Sequence, residues 1–360
     1  MAANKPGRTA SLFEFWPPWL FYAPVAAWCC LLALRHRGAT LPALADPLVT
    51  PLGGLVGESK AAILDMVRGE ARKLLLPYAL VDLPDASPTR RLDRCLAAMD
   101  LAGLDFPVVA KPDVGERGAG VRPVASETEL ADYLGDFPGE PGRGLLLQRL
   151  SSHPGEAGVF WARPPGAERG YLLSITGKEF PCVTGDGRDT LETLIRAHPR
   201  FKAAGPIYLE RFAGRLDDVP GEGERVPLVF AGNHCRGAVF RDAADLATPE
   251  LLLAVEGICS SMEEFHFGRV DVRAPDRESL ARGENLEVVE INALGSEATH
   301  VWDPDMSLPR AWRDLCRQWS LAWEIGAANR DRGFRAPPLL PSLRGIFSAL
   351  RGRPTCPPTR

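Results

Sequence analysis

The sequence predicts an α+β fold, from three local patterns. Residues 268–272 (GRVDV) and 286–292 (LEVVEIN) alternate apolar and polar side chains as strands do. From Lys60 onward, apolar residues at 61–64 and 66–67 recur at roughly helical spacing. Residues 106–112 (FPVVAKP) form a short apolar run that ends on Lys111 and leads into a glycine-rich turn.

The two strand-like stretches carry the most chemistry. Strand side chains alternate faces, so Arg269 and Asp271 share one face of the first, and Glu290 and Asn292 one face of the second. Burying such groups unpaired costs several kcal/mol, so they do not suit a purely apolar core. If the stretches pair as a hairpin, the oxygens of Asp271, Glu290 and Asn292 converge. Hard divalent cations such as Mg2+ take oxygen ligands of this type, often beside phosphates. The alternative is a pair of half-exposed strands with solvated carboxylates.

Composition sets the outer limits. The chain has 360 residues, 45% hydrophobic and 24% charged, which fits one large domain or two to three ordinary ones. A net charge of −4 argues against a nucleic-acid binder that relies on a general positive field. The eight cysteines contain no C-x-x-C pair, so a zinc site has no support, and they read as reduced, mostly buried small hydrophobes.

The N-terminus is apolar. From Phe15 to Leu34 there are 20 uncharged residues, then Arg35, His36 and Arg37. That length suffices to cross about 30 Å of hydrocarbon as a helix. Phe13, Phe15 and Trp16 read as an interfacial anchor, whereas Pro17, Pro18 and Pro24 weaken a straight span. Residues 12–34 are therefore expected to insert in or rest on a membrane, with the catalytic domain in the cytoplasm, at the cytoplasmic face. The alternative is an N-terminal helix packed on the catalytic domain or on a second copy.

Next comes the phosphate-handling chemistry. Gly57-Glu58-Ser59-Lys60 opens the helical stretch, and a lysine in a first turn opposes the helix dipole, which points to an external anion. After Lys111, Gly115, Gly118 and Gly120 let the backbone close tightly and turn N–H groups toward an anion. The pattern is neither the Walker loop nor the dinucleotide fingerprint.

Lys60, Lys111, the glycine loop, Asp271, Glu290 and Asn292 have the order and spacing of the ATP-grasp superfamily. The segment FPVVAKPDVGERGAGVRPVASETEL resembles its lysine-plus-glycine-loop element, and GRVDV and LEVVEINALG resemble its metal-binding strands. The resemblance covers about residues 55–325. It is nearest to D-alanine–D-alanine ligase and to the ATP-grasp part of cyanophycin synthetase, which VTGDGRDTL at 183–191 is similar to.

The resemblance implies an ATP-grasp fold of two α+β subdomains with the nucleotide between their sheets. It implies that Lys60, Lys111 and the glycines hold ATP phosphates, that Gln148, Arg149 and Leu150 line the adenine, and that Glu156 meets the ribose. Asp271, Glu290 and Asn292 would bind Mg2+, or Mn2+ in its place. Arg269 and Lys111 would act on the reaction itself, and Arg241 is the expected further anion contact. Lys178 reads as an exposed strand lysine and His300 as a structural histidine. The pocket for the acceptor substrate is expected at Ser296, Glu297 and Thr299.

The expected organisation is an apolar anchor (1–38), a helical lead-in with the first lysine (39–105), the ATP-grasp domain (106–330) and a Pro/Arg-rich, poorly ordered tail (331–360). The full α/β domain that such ligases carry before the first lysine has no counterpart here, which argues against D-alanine as substrate. The expected function is an ATP-dependent carboxylate–amine ligase using Mg2+ and an acyl phosphate, with small-molecule or lipid-linked substrates. The alternatives are a kinase-like phosphotransferase and a membrane-tethered ATP-binding protein without turnover.

Overall fold

In the computed structural model, which describes residues 8–84, 87–115, 118–137 and 144–351, the apolar N-terminus folds as two short helices, α1 (Pro18–Phe21) and α2 (Ala23–Arg35). Helix α3 (Lys60–Asp65) begins where the Ser59 hydroxyl accepts from the Ala62 N–H, a standard N-cap. There follow β1 (Tyr78–Asp82), α4 (Pro88–Leu101), β2 (Val108–Pro112), β3 (Arg122–Val124), α5 (Glu127–Asp136) and β4 (Gly144–Arg149). These strands form an antiparallel sheet in the order β1-β4-β2-β3. Val81, Val108, Ala110, Leu145 and Leu147 turn inward against Cys95, Met99, Leu130 and Leu134 of α4 and α5. Strand β1 lies within the expected lead-in and β4 within the expected ATP-grasp domain, so one sheet draws on both sides of that boundary.

The chain continues through β5 (Gly155–Ala162), β6 (Tyr171–Glu179), β7 (Cys182–Thr184), α6 (Leu191–Ala197), α7 (Phe201–Arg211), β8 (Arg225–Pro227), β9 (Val239–Asp242), α8 (Pro249–Ser260), β10 (Phe267–Ala274), α9 (Arg277–Arg282) and β11 (Glu287–Asn292). Helices α10 (Leu308–Asp331) and α11 (Leu339–Arg351) close the described chain. The second sheet is antiparallel, in the order β11-β10-β5-β6-β9, and β7 pairs with β8 separately. One face of the second sheet is apolar: Val159, Ile175, Val270, Val272, Val288 and Ile291 pack against α3 and α8. The other face changes along the strands. Phe160 and Phe267 lie under α10, and beyond them the side chains become charged.

The N-terminal expectation needs correcting. No helix among the described residues is long and apolar enough to cross a membrane. At about 1.5 Å per residue, the 13 residues of α2 reach only about 20 Å. One face of this segment belongs to the protein core. Phe13, Phe21 and Val25 pack with Trp302, Ala311 and Leu315, and Leu32 packs with Trp323. Glu14, the one charge in the run, is buried in an ion pair with Arg200. The expectation for the tail also changes: residues 339–351 are helical, while 352–360 lie outside the described residues.

Candidate active site

Strand register gathers the predicted residues. Arg269 pairs with Asn292, and Asp271 with Glu290, across β10 and β11. Directly opposite residues share a face, so all four project from the same side of the sheet. Their alternates, Val270 and Ile291, fill the core behind. Across the other edge of β10, Asp271 faces Gly158 and Arg273 faces Glu156. Glu156 in turn faces Lys178 of β6. A Cβ on Gly158 would sit 2.9 Å from both the Arg269 Cδ and the Asp271 Oδ1, so only glycine leaves room for the Arg269–Asp271 pair.

The face is a network of buried charges. Arg269 donates from Nε to Asp271 Oδ1 at 2.8 Å and from Nη2 to Oδ2 at 3.3 Å. Lys178 Nζ lies 3.2 Å from Asp271 Oδ2 and donates to Glu156 Oε1 at 2.8 Å. Arg273 Nη2 holds the second Glu156 oxygen at 2.7 Å. Burial pushes the Asp271 carboxyl up, but the charges of Arg269 and Lys178 outweigh it and hold Asp271 ionised below its usual range. Burial likewise disfavours charge on Lys178, and Asp271 and Glu156 overcome it. Arg269 also donates to the Glu297 carbonyl at 2.9 Å.

Two lysines approach the β11 edge of this face, Lys111 from the first sheet and Lys60 from the start of α3. Lys111, buried at the end of β2, donates to Gln148 Oε1 at 2.8 Å and to the Val289 carbonyl at 3.3 Å. Burial pushes its pKa down to about 8, against the pull of Glu290. Lys60, at the start of α3, donates to the Gly115 carbonyl at 2.7 Å and lies 3.6 Å from Glu290 Oε1. Asp113 accepts the Ala61 N–H at 2.8 Å, which ties α3 to the strand carrying Lys111. Gly118 and Gly120 hold φ of +67° and +72°, the left-handed conformation that glycine takes at no steric cost. Glu116 and Arg117 of the same loop lie outside the described residues.

Three predicted residues stand elsewhere or are already engaged. Arg241 pairs with Gly177 in register and so projects from the opposite face to Lys178. It contacts Glu179 and the Arg8 carbonyl, away from the two lysines. Arg149 reaches out to Glu287 at 2.7 Å, beside half-buried Leu150. Both oxygens of Glu156, expected at the ribose, are taken by Lys178 and Arg273. His300 faces Asp314 at 3.1 Å, a structural contact.

Sequence reasoning missed three residues. Lys178 is not an exposed strand lysine; its side chain is 6% exposed and bridges two carboxylates. The only local signal was Glu156 and Lys178 each standing two residues from a small residue on its own strand. Arg273 carried the same alternation as Arg269 and Asp271, one step further along. Glu58 is buried beside Glu290 and Lys60, and burial above all pushes its pKa up to about 7.

The residues fit a hard cation in part. Among the described residues no three His, Cys, Asp or Glu side chains converge. The oxygen set is two carboxylates and an amide, and the buried Asn292 Nδ2 has no hydrogen-bond partner. An amide at that position with an unpaired end is suited to a polar ligand. Among the described residues, the ion pair of Glu290 is with Lys60, at a loose 3.6 Å. Asp271 would yield an oxygen only by giving up a contact with Arg269 or Lys178.

The two sheets bring the predicted residues of the N-terminal and C-terminal motifs together. The first sheet contributes Lys111, helix α3 contributes Lys60, and the second sheet contributes the carboxylates. No protein-family model matches the sequence, and a search of curated proteins found no match. Among solved structures, a D-cycloserine synthetase is 14% identical, over 84% of this chain and 82% of that one, with a TM-score of 0.38. D-alanine–D-alanine ligase from Bacillus anthracis is 15% identical, over 74% and 69%, with a TM-score of 0.35. A bifunctional glutathione synthetase from Pasteurella multocida is 17% identical, over 75% of this chain but only 38% of that one, with a TM-score of 0.34.

Proposed function

We propose that this protein is an ATP-dependent ligase that joins a carboxylate to an amine through an acyl phosphate. The observation that carries this is the facing of two lysines, Lys60 and Lys111, with the Glu290–Asn292 edge of the second sheet. Lys111 is buried at a cost to its own charge, and a polyanion beside it removes that cost. ATP phosphates are such a polyanion, and the left-handed Gly118 and Gly120 that follow Lys111 suit a backbone turned toward an anion.

In this mechanism the substrate carboxylate attacks the γ-phosphorus, which gives an acyl phosphate and ADP. The amine then attacks the acyl carbon, and inorganic phosphate leaves. Arg269 is fixed by Asp271 and the Glu297 carbonyl, so its guanidinium is pre-oriented toward charge that develops on the transferred group. Mg2+, when bound, neutralises phosphate oxygens, and Glu290 and Asn292, with Asp271, are the residues that would hold it. The protein otherwise supplies positioning and exclusion of water.

One observation favours an alternative, ATP binding without turnover: both oxygens of Asp271 are already held by cations. A screen of ADP release over carboxylate and amine pairs, lipid-linked ones included, separates the cases. The ligase forms an amide in step with ADP. A phosphorylated product without an amide identifies a kinase, and no ADP with any pair identifies a binding protein.

A further inference from the structure

The outer face of the N-terminal helices is apolar and exposed. Leu12, Trp19 and Leu34 are 84%, 74% and 77% exposed, with Trp16, Leu20 and Leu31 exposed between them. Phe21, Val25 and Leu32 of the same helices are buried on the opposite side. The segment is thus apolar all round while lying at the surface, and no polar side chain occupies the outer face of α2 before Arg35. An apolar face of this extent marks an interaction site.

A second apolar stripe starts from the same corner. The Arg330 guanidinium donates to the His36 carbonyl at 3.1 Å, so the end of α10 meets the end of α2. Phe334 and Ala336 then pack on the cluster that holds Leu32. From there α11 leads off with Leu340, Leu343 and Phe347 exposed. The sequence around both stripes is basic. Arg35 and Arg37 follow α2, and Arg335 and Arg344 lie before and within α11 with no acid from Arg332 to Arg344.

We propose that this face docks on an anionic lipid surface, with α2 lying along the interface and not crossing it. An exposed tryptophan-bearing apolar face with arginines at its far end suits the boundary between headgroups and acyl chains. A second copy of the chain would cover the apolar residues, but the arginines that flank them call for an anionic partner. An anionic leaflet neutralises those arginines. The docking also has a consequence for the site. Tyr22, at the start of α2, donates to the Glu297 carboxylate, and the Glu297 carbonyl holds Arg269. The start of the helix on the lipid therefore touches the residue that holds Arg269, which suits a substrate presented from the surface.

Flotation tests this without any turnover. The full chain, purified without detergent, is mixed with vesicles of phosphatidylcholine, with or without phosphatidylglycerol. We expect flotation with the anionic vesicles, reduced by high salt, and at least about tenfold less with phosphatidylcholine alone. The double variant Trp19→Ser, Leu31→Ser should lose flotation and keep the wild-type melting curve, because both side chains are exposed. Equal flotation of wild type and variant would overturn the proposal, as would no flotation of either. A dimer that the double variant dissolves, with no vesicle binding, would overturn it in favour of a second copy.

Discussion

The charged face of the second sheet and the outer face of α2 are opposite anomalies. The first puts Glu156, Lys178, Arg269 and Asp271 out of water. The second puts Trp19, Leu31 and Leu34 into it. The chain resolves the first by itself, because every buried charge there has an opposite partner within about hydrogen-bonding reach. It does not resolve the second, since among the described residues nothing covers that face of α2. The difference separates what the fold needs for stability from what it holds ready for a partner.

Breaking the charged network should have the largest effect. Asp271→Ala leaves Lys178 and Arg269 facing each other without a shared anion, and should cost about 3–5 kcal/mol of stability by urea unfolding. Phe21→Ala tests the inner side of the N-terminal helices. Phe21 stacks with Phe13 at 5.3 Å and meets Trp302 at 4.6 Å, so its loss should cost about 3–4 kcal/mol. An effect near zero would mean that the segment is an appendage and not part of the core.

A pH titration sharpens the same contrast. Glu58 has a folded pKa of about 7 against an ordinary 4.5, chiefly through burial. Its native state keeps a proton that the unfolded chain releases, so its contribution is full below about pH 4.5 and lost as pH rises through about 7. Stability should fall by about 2–3 kcal/mol across that window, and Glu58→Gln should flatten the fall. The smallest effect belongs to the outer face. Trp19→Ser should change stability by less than about 0.5 kcal/mol in the absence of lipid.

The core of the candidate site was legible in the sequence because strand alternation is a local rule. Arg269, Asp271, Glu290 and Asn292 could be assigned to faces from their spacing alone. Lys178 could not, because its partners are Glu156 and Asp271 on two other strands, and only the β10-β5-β6 pairing brings them together. The face that Arg241 takes was hidden for the same reason: an offset of one residue in register sends a side chain through the sheet. The apolar character of residues 12–34 was plain, but not its destination. A span of 20 uncharged residues fits a membrane as well as it fits half a core. Trp302 and the inner face of α10 decide which face is buried, and they lie far along the chain.

The central claim is a nucleotide site between the two sheets. Equilibrium binding of ATP in the presence of Mg2+, by calorimetry, tests it on the wild type, Lys111→Ala and Trp19→Ser. We expect saturable binding by the wild type and by Trp19→Ser, and at least about tenfold weaker binding by Lys111→Ala, because a charged hydrogen-bond donor to phosphate is lost. A wild type that does not bind ATP, or a Lys111→Ala variant that binds it equally well, would contradict the account.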